Sequence, residues 1–124
     1  MSKIKNTNEA LKMFEESTVT HAECTENGNY KVGNKAFAKI LKAVDFLKKH
    51  NQLLELERFF SHKLIGPKLA AAVHLLSISE KGSLDVLKKI ASGSPSHARL
   101  SAKSILKQWS NPDSDLRKRF TRWG

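Results

Sequence analysis

Shifted by 31 residues, the second half of this chain falls into register with itself. Leu53 meets Leu84, Leu56 meets Leu87, Phe59 meets Ile90 and Ser61 meets Ser92. Further on, Lys68 meets Arg99, Leu69 meets Leu100, Ala71 meets Ala102 and Leu75 meets Leu106. Apolar, small and basic positions all keep their places. Inside each unit the spacing is helical, and no stretch alternates cleanly with period two. A helix-pair repeat cannot bury its own apolar face, so it is covered by stacking on its neighbours. The expected fold is therefore all-α: a short α-solenoid of HEAT or armadillo type. Each unit reads as a short helix, a connection and a second helix. The connections are His62 to Pro67 in the first unit and Gly93-Ser94-Pro95-Ser96 in the second, with Lys81-Gly82-Ser83 between the units. Pro67 and Pro95 lie near second-helix starts, where a missing N–H is harmless.

Ahead of the repeat, the spacing predicts two long helices. The first runs from about Thr7 to Thr25, with Leu11, Phe14, Thr18 and Ala22 near one face. Asn6, followed three residues later by Glu9, has the form of an N-terminal cap. Gly28, in Glu26-Asn27-Gly28-Asn29, suits a left-handed C-cap. The second helix runs from about Tyr30 to His50, with Phe37, Ile40, Leu41, Val44 and Leu47 as its apolar stripe. A short turn between two long helices makes an antiparallel hairpin.

The segment from Pro67 to Ser79 is apolar nearly all round, so it belongs at the centre, covered on several sides. Its Ala70-Ala71-Ala72 run would let neighbours approach closely. The helix from His97 to Trp109 is two-faced instead: Ala98, Ala102, Ile105 and Trp109 point inward, and Arg99, Lys103 and Lys107 do not. Asn111-Pro112-Asp113 then has the residues of another helix start. On that last helix Leu116, Phe120 and Trp123 share a face, and Arg117, Lys118, Arg119 and Arg122 lie mostly elsewhere. The whole of 1–124 reads as one domain: a hairpin over 6–51, repeat one over 52–80, repeat two over 83–110 and a basic helix over 111–124.

Composition narrows the function. The chain has 22 Lys and Arg against 12 Asp and Glu, a formal charge of +10, which favours anionic partners. Nine basic residues face six acidic ones over 1–51, nine face four over 52–110, and four face two over 111–124. The excess is thus spread rather than gathered. The single cysteine, Cys24, excludes a disulfide framework or a multi-cysteine metal site. With no secretory signal and no apolar span of membrane length, the expectation is a cytoplasmic protein without a membrane role, a monomer or weak homodimer.

The order of elements also carries a resemblance. Tyr30 and Asn34 open the second helix, Lys68 to Leu76 form the Ala-rich helix, and Ala102, Leu106 and Trp109 close the last pair. In this the stretch from about Ala10 to Trp109 resembles a bacterial HEAT-like family, domain-of-unknown-function family number 2019. HEAT-like units often carry a Val-Arg pair before their small residues. Pro67-Lys68 and Ala98-Arg99 stand there, so only the basic character is kept. The resemblance implies an all-α fold and a binding role, and it transfers no catalytic residue.

Chemistry-bearing constellations are few. His21, His50, His62, His74 and His97 show no i, i+3 or i, i+4 pairing, so no metal or cofactor is expected. His74 aligns with inward Ile105 and reads as a satisfied core histidine. Cys24 has Glu23 and Glu26 nearby, which disfavours a thiolate. Glu15-Glu16 and Glu55/Glu57 read as solvated faces rather than an acid–base pair. The candidate binding residues are basic: Arg99, Lys103 and Lys107 line one helix face, with Lys68 one repeat earlier. The tail adds Arg117, Arg119, Arg122 and Trp123, either as an end cap or as a handle for a partner. Together these point to a non-enzymatic protein-binding module, an adaptor of immunity or antitoxin type, docking an acidic partner surface. The alternative is nucleic-acid binding through the basic strip and tail.

Overall fold

The computed structural model describes residues 4–111 and 113, and every regular element among them is helical. Among the described residues there are five α-helices: α1 (Thr7–Asn27), α2 (Tyr30–Lys49), α3 (Ile65–His74), α4 (Glu80–Ala91) and α5 (His97–Ser110). A 3-10 helix, Leu53–Ser61, separates α2 from α3. Among the described residues, no helix is long and apolar enough to cross a membrane.

The hairpin forms as its caps dictate. Asn6 accepts from the Glu9 N–H at 2.9 Å, and Gly28 closes α1 at φ +81°, its N–H bonded to the Cys24 carbonyl. That left-handed geometry is open to glycine at little steric cost. The expected stripe on α2 is corrected, however. Ile40, Val44 and Leu47 are buried, but Phe37 and Leu41 are 45 % and 47 % exposed. Gly33, Ala36 and Ala43 take their places. A Cβ on Gly33 would lie 3.1 Å from the Cys24 Cβ. Small residues let α2 sit close on α1, which turns the buried face toward them and leaves the larger side chains at its edge.

The segment expected as a short helix at 53–61 is a 3-10 helix. Its three-residue turn stacks Leu53, Leu56 and Phe59 on one line, and the last two are buried. The connection ends earlier than expected: α3 begins at Ile65, and Pro67 lies in its first turn, buried. The central helix also ends sooner, at His74. A hydrogen-bonded turn, 75–79, follows, in which the Ser79 N–H donates to the Leu75 carbonyl at 2.7 Å. Lys81-Gly82-Ser83 is not a separator but lies inside α4. There the bare Gly82 Cα admits the Phe60 ring, which a Cβ would meet at 2.9 Å.

α3 is central, as its composition requires, and packs against α1, the 3-10 helix, α4 and α5. Ala71 and Leu75 join the core built from Phe14, Ile40, Leu47, Leu56 and Phe59. Ala72 and Leu76 join a second core with Leu87, Ile90, Ala98, Ala102 and Trp109. Several 31-residue partners share burial: Leu56 with Leu87, Phe59 with Ile90, Ala71 with Ala102. Leu69 and Leu100 do not, since Leu69 is half-buried and Leu100 is 65 % exposed.

The α1–α3 crossing rests on Gly66, whose missing Cβ would fall 2.4 Å from the Thr18 carbonyl oxygen and 3.0 Å from the Ala22 Cβ. In an open helix, Gly→Ala adds up to about 1 kcal/mol. Here Gly66→Ala is expected to lower stability by about 1–3 kcal/mol, because backbone cannot yield as a side chain does. A urea unfolding midpoint unchanged or raised in the variant would show that the two helices can separate freely.

Candidate functional site

Two concave surfaces flank α5. The first is an apolar groove of about 230 Å³ where α1, α2, α3 and α5 converge. Phe37, Ile40, Leu69, Val73 and Ile105 form its walls, with Thr18, His21, Thr25, Glu26, His74 and Ser101 supplying polar groups. The second is a shallow depression of about 350 Å³ at the start of α5, lined by Pro95, Ser96, His97, Arg99, Leu100, Lys103 and Glu26.

The junction between them is made by Glu26, which the sequence presented as a turn residue and an acidic neighbour of Cys24. Its carboxylate accepts from the His97 backbone N–H at 3.1 Å and from Ala98 N–H at 3.4 Å. It also lies 2.9 Å from the His97 Nδ1. A carboxylate from the end of α1 thus serves the unpaired N–H groups at the start of α5, where the helix dipole favours negative charge. The His97 side-chain bond, then its backbone N–H, hold the Glu26 carboxyl below the usual carboxylate range. Ser96 completes the cap by accepting from the Arg99 N–H at 3.1 Å. No local signal in the sequence joins residues 26 and 97, because the contact spans 71 positions.

His74 faces the groove at the end of α3, its ring 6.3 Å from that of Phe14. It is core-facing as expected, and its ring makes no hydrogen bond to the described residues. Desolvation, with the Lys48 charge assisting, pushes it down to about 4, so it is neutral near pH 7.

The basic strip is brought together in part. Lys103 and Lys107 are exposed on the side of α5 away from buried Ala98, Ala102 and Trp109. None of the ion pairs among the described residues uses them. Arg99 is half-buried; its Nε is sealed from solvent without a partner, and its side chain shares the depression with Lys103. Lys68 is half-buried on α3 and does not line that depression. Arg117, Arg119, Arg122 and Trp123 lie outside the described residues, as does the short helix expected over 111–124 apart from Asn111 and Asp113. No group of three or more His, Cys, Asp or Glu able to hold a metal occurs among the described residues. Cys24 is free and buried.

Comparison of the chain with family models, with curated proteins and with solved structures finds no match.

The two perturbed groups act in separate pH windows. His74 ordinarily titrates near 6.5 and here near 4, so its stabilisation is complete above 6.5 and is lost as pH falls toward 4. The lowered Glu26 carboxyl contributes above the ordinary carboxylate range and is lost only as pH falls through its lowered value. Urea unfolding is expected to lose roughly 2 kcal/mol between pH 7 and 4.5 through His74 alone. His74→Leu should remove that slope. Glu26→Gln should leave it in place while weakening the fold at pH 7. An unchanged slope in His74→Leu would mean that the histidine is solvated in the folded protein.

Proposed function

We propose that this chain is a non-enzymatic protein-binding module that docks an acidic partner surface on α5. The observation that carries the reading is the depression at Pro95–Lys103. There exposed Leu100 stands between Arg99 and Lys103, with Lys107 one turn further on. An apolar anchor beside cations, with no carboxylate paired to the lysines among the described residues, is suited to a protein surface carrying Asp and Glu. Bare phosphate chains would call for a concentrated field, and the excess charge of this chain is spread along it. Helix pairs following one another in the chain support a stacked, HEAT-like scaffold, and the resemblance to the bacterial HEAT-like family belongs to the same proposal. An adaptor or immunity-type role, in which a partner is held and masked rather than transformed, follows from that scaffold. Lys68 and the tail residues Arg117, Arg119, Arg122 and Trp123 extend the contact in this reading.

The test is affinity capture by the full chain from its native cytosol, followed by identification of what is retained at physiological salt. The expected result is one acidic protein, retained by the parent chain and lost by a Lys103→Glu/Lys107→Glu variant that keeps its helical circular dichroism. The loss in affinity should be at least tenfold, as for two interface charges reversed. Capture of nothing specific, or of a protein indifferent to the reversal, overturns the proposal. Tight binding of fluorescent DNA or RNA oligonucleotides that weakens steeply with added salt would instead establish the nucleic-acid alternative.

A further inference from the structure

We infer that the apolar groove between α1, α2, α3 and α5 is a binding site for a small, neutral, planar aromatic molecule bearing one N–H or O–H, a compound of indole or phenol type. This goes beyond the docking surface on the basic side of α5 and does not depend on it.

Size sets the first bound. The groove holds about 230 Å³. A dry cavity of ~150 Å³ takes up a single benzene ring, whereas sites for drug-sized ligands start at ~300 Å³. The space between those limits suits one ring or two fused rings. The walls favour a flat molecule. Ile40, Leu69, Val73 and Ile105 are apolar, and beside them the rings of His21 and Phe37 lie 5.5 Å apart, tilted by 36°. A further planar ring can stack there. A flexible chain of the same area would lose more rotamer freedom on burial.

Charge sets the second bound. Neither Lys nor Arg lines the groove. The Glu26 carboxylate, already bonded to the start of α5, repels an anionic ligand. His74 meets the Phe14 ring and feels the Lys48 charge, which repels a cation in turn. From Phe14 to Glu26 α1 advances about 18 Å, so these two repulsions act at opposite ends and leave a neutral ligand.

His74 supplies the recognition. Its ring lines the groove and makes no hydrogen bond to the described residues. Being neutral near pH 7, it offers one N–H and one bare nitrogen. Two of the groove's hydroxyls are already spent as donors, Thr18 to the Phe14 carbonyl at 2.8 Å and Thr25 to the His21 carbonyl at 2.9 Å. An imidazole left unpaired in apolar surroundings is costly, and a ligand N–H or O–H relieves that cost.

Titration of the full chain with indole, followed by amide chemical shifts, tests the inference. The expected result is saturable shifts at groove residues and not at Lys103 or Lys107, with a Kd below about 1 mM. Benzofuran, the same shape without the N–H, should bind at least threefold more weakly. His74→Phe should abolish that preference. Ser101→Trp, which fills the groove from the exposed side of α5, should weaken indole at least tenfold while keeping its helical circular dichroism. No saturable shift, or shifts confined to another face, overturns the inference. Equal affinity for benzofuran in the parent chain, or indifference to Ser101→Trp, overturns it as well, and both are read without the His74 variant should that one fail to fold. Tighter binding of n-octanol than of indole would show a site for aliphatic chains instead.

Discussion

The structure depends on α3 and the turn that leaves it, because these ten-odd residues are shared by two cores. Ala71 and Leu75 point to the hairpin side, and Ala72 and Leu76 to the α4–α5 side. All four are fully buried. In a helix two consecutive positions differ by about 100°, so adjacent residues can serve two separate cores only if both flanks are covered. Neither the hairpin nor the last pair could bury its apolar face alone. The close approach at Gly66 on one side, and Ala102 with Leu87 on the other, tie both to the same helix. A void on either flank would reach both cores, since packed interiors relax only in part.

Around that shared helix, carboxylates from one element repeatedly meet donors on another. Glu26 on α1 serves the start of α5, and Glu15 on α1 lies 2.8 Å from the His62 Nε2 in the connection before α3. The Ser79 Oγ donates to Glu57 at 2.6 Å, and the Trp109 Nε1 donates to Glu80 at 2.7 Å. Exposed pairs of this kind stabilise weakly. Their effect is positional: each fixes the end or the orientation of a helix whose apolar face is non-directional. Trp109 shows the division most clearly, with its ring in the second core and its N–H held at the start of α4.

Much of the fold was legible where local chemistry decides it. Asn6 and Gly28 sit at helix ends because capping is a matter of a few neighbouring residues. The Ala-rich helix was legible as central because its apolar residues run nearly all round it. What the sequence did not show depended on distance or size. The turn at 75–79 contains no glycine or proline, so nothing local in the sequence marks the break between α3 and α4. Gly82 looked like a linker, yet its role is to make room for Phe60. On α2 the small residues Gly33, Ala36 and Ala43 are buried where the larger Phe37 and Leu41 are not, because helix-to-helix distance and not side-chain hydrophobicity alone sets the buried face. At the candidate site, the alternation of Arg99, Lys103 and Lys107 was visible as helical spacing. The groove was not, since its walls come from four separate helices.

That groove and the basic face stand on opposite sides of α5, and the helix keeps them apart by its own periodicity. Ala98, Ser101 and Ile105 fall toward α1 and α3, whereas Arg99, Lys103 and Lys107 fall away from them. A ligand on one side does not compete sterically with a ligand on the other, but both bear on the same fourteen residues. Glu26 links them, because it lines both concave surfaces and holds the N-terminus of α5.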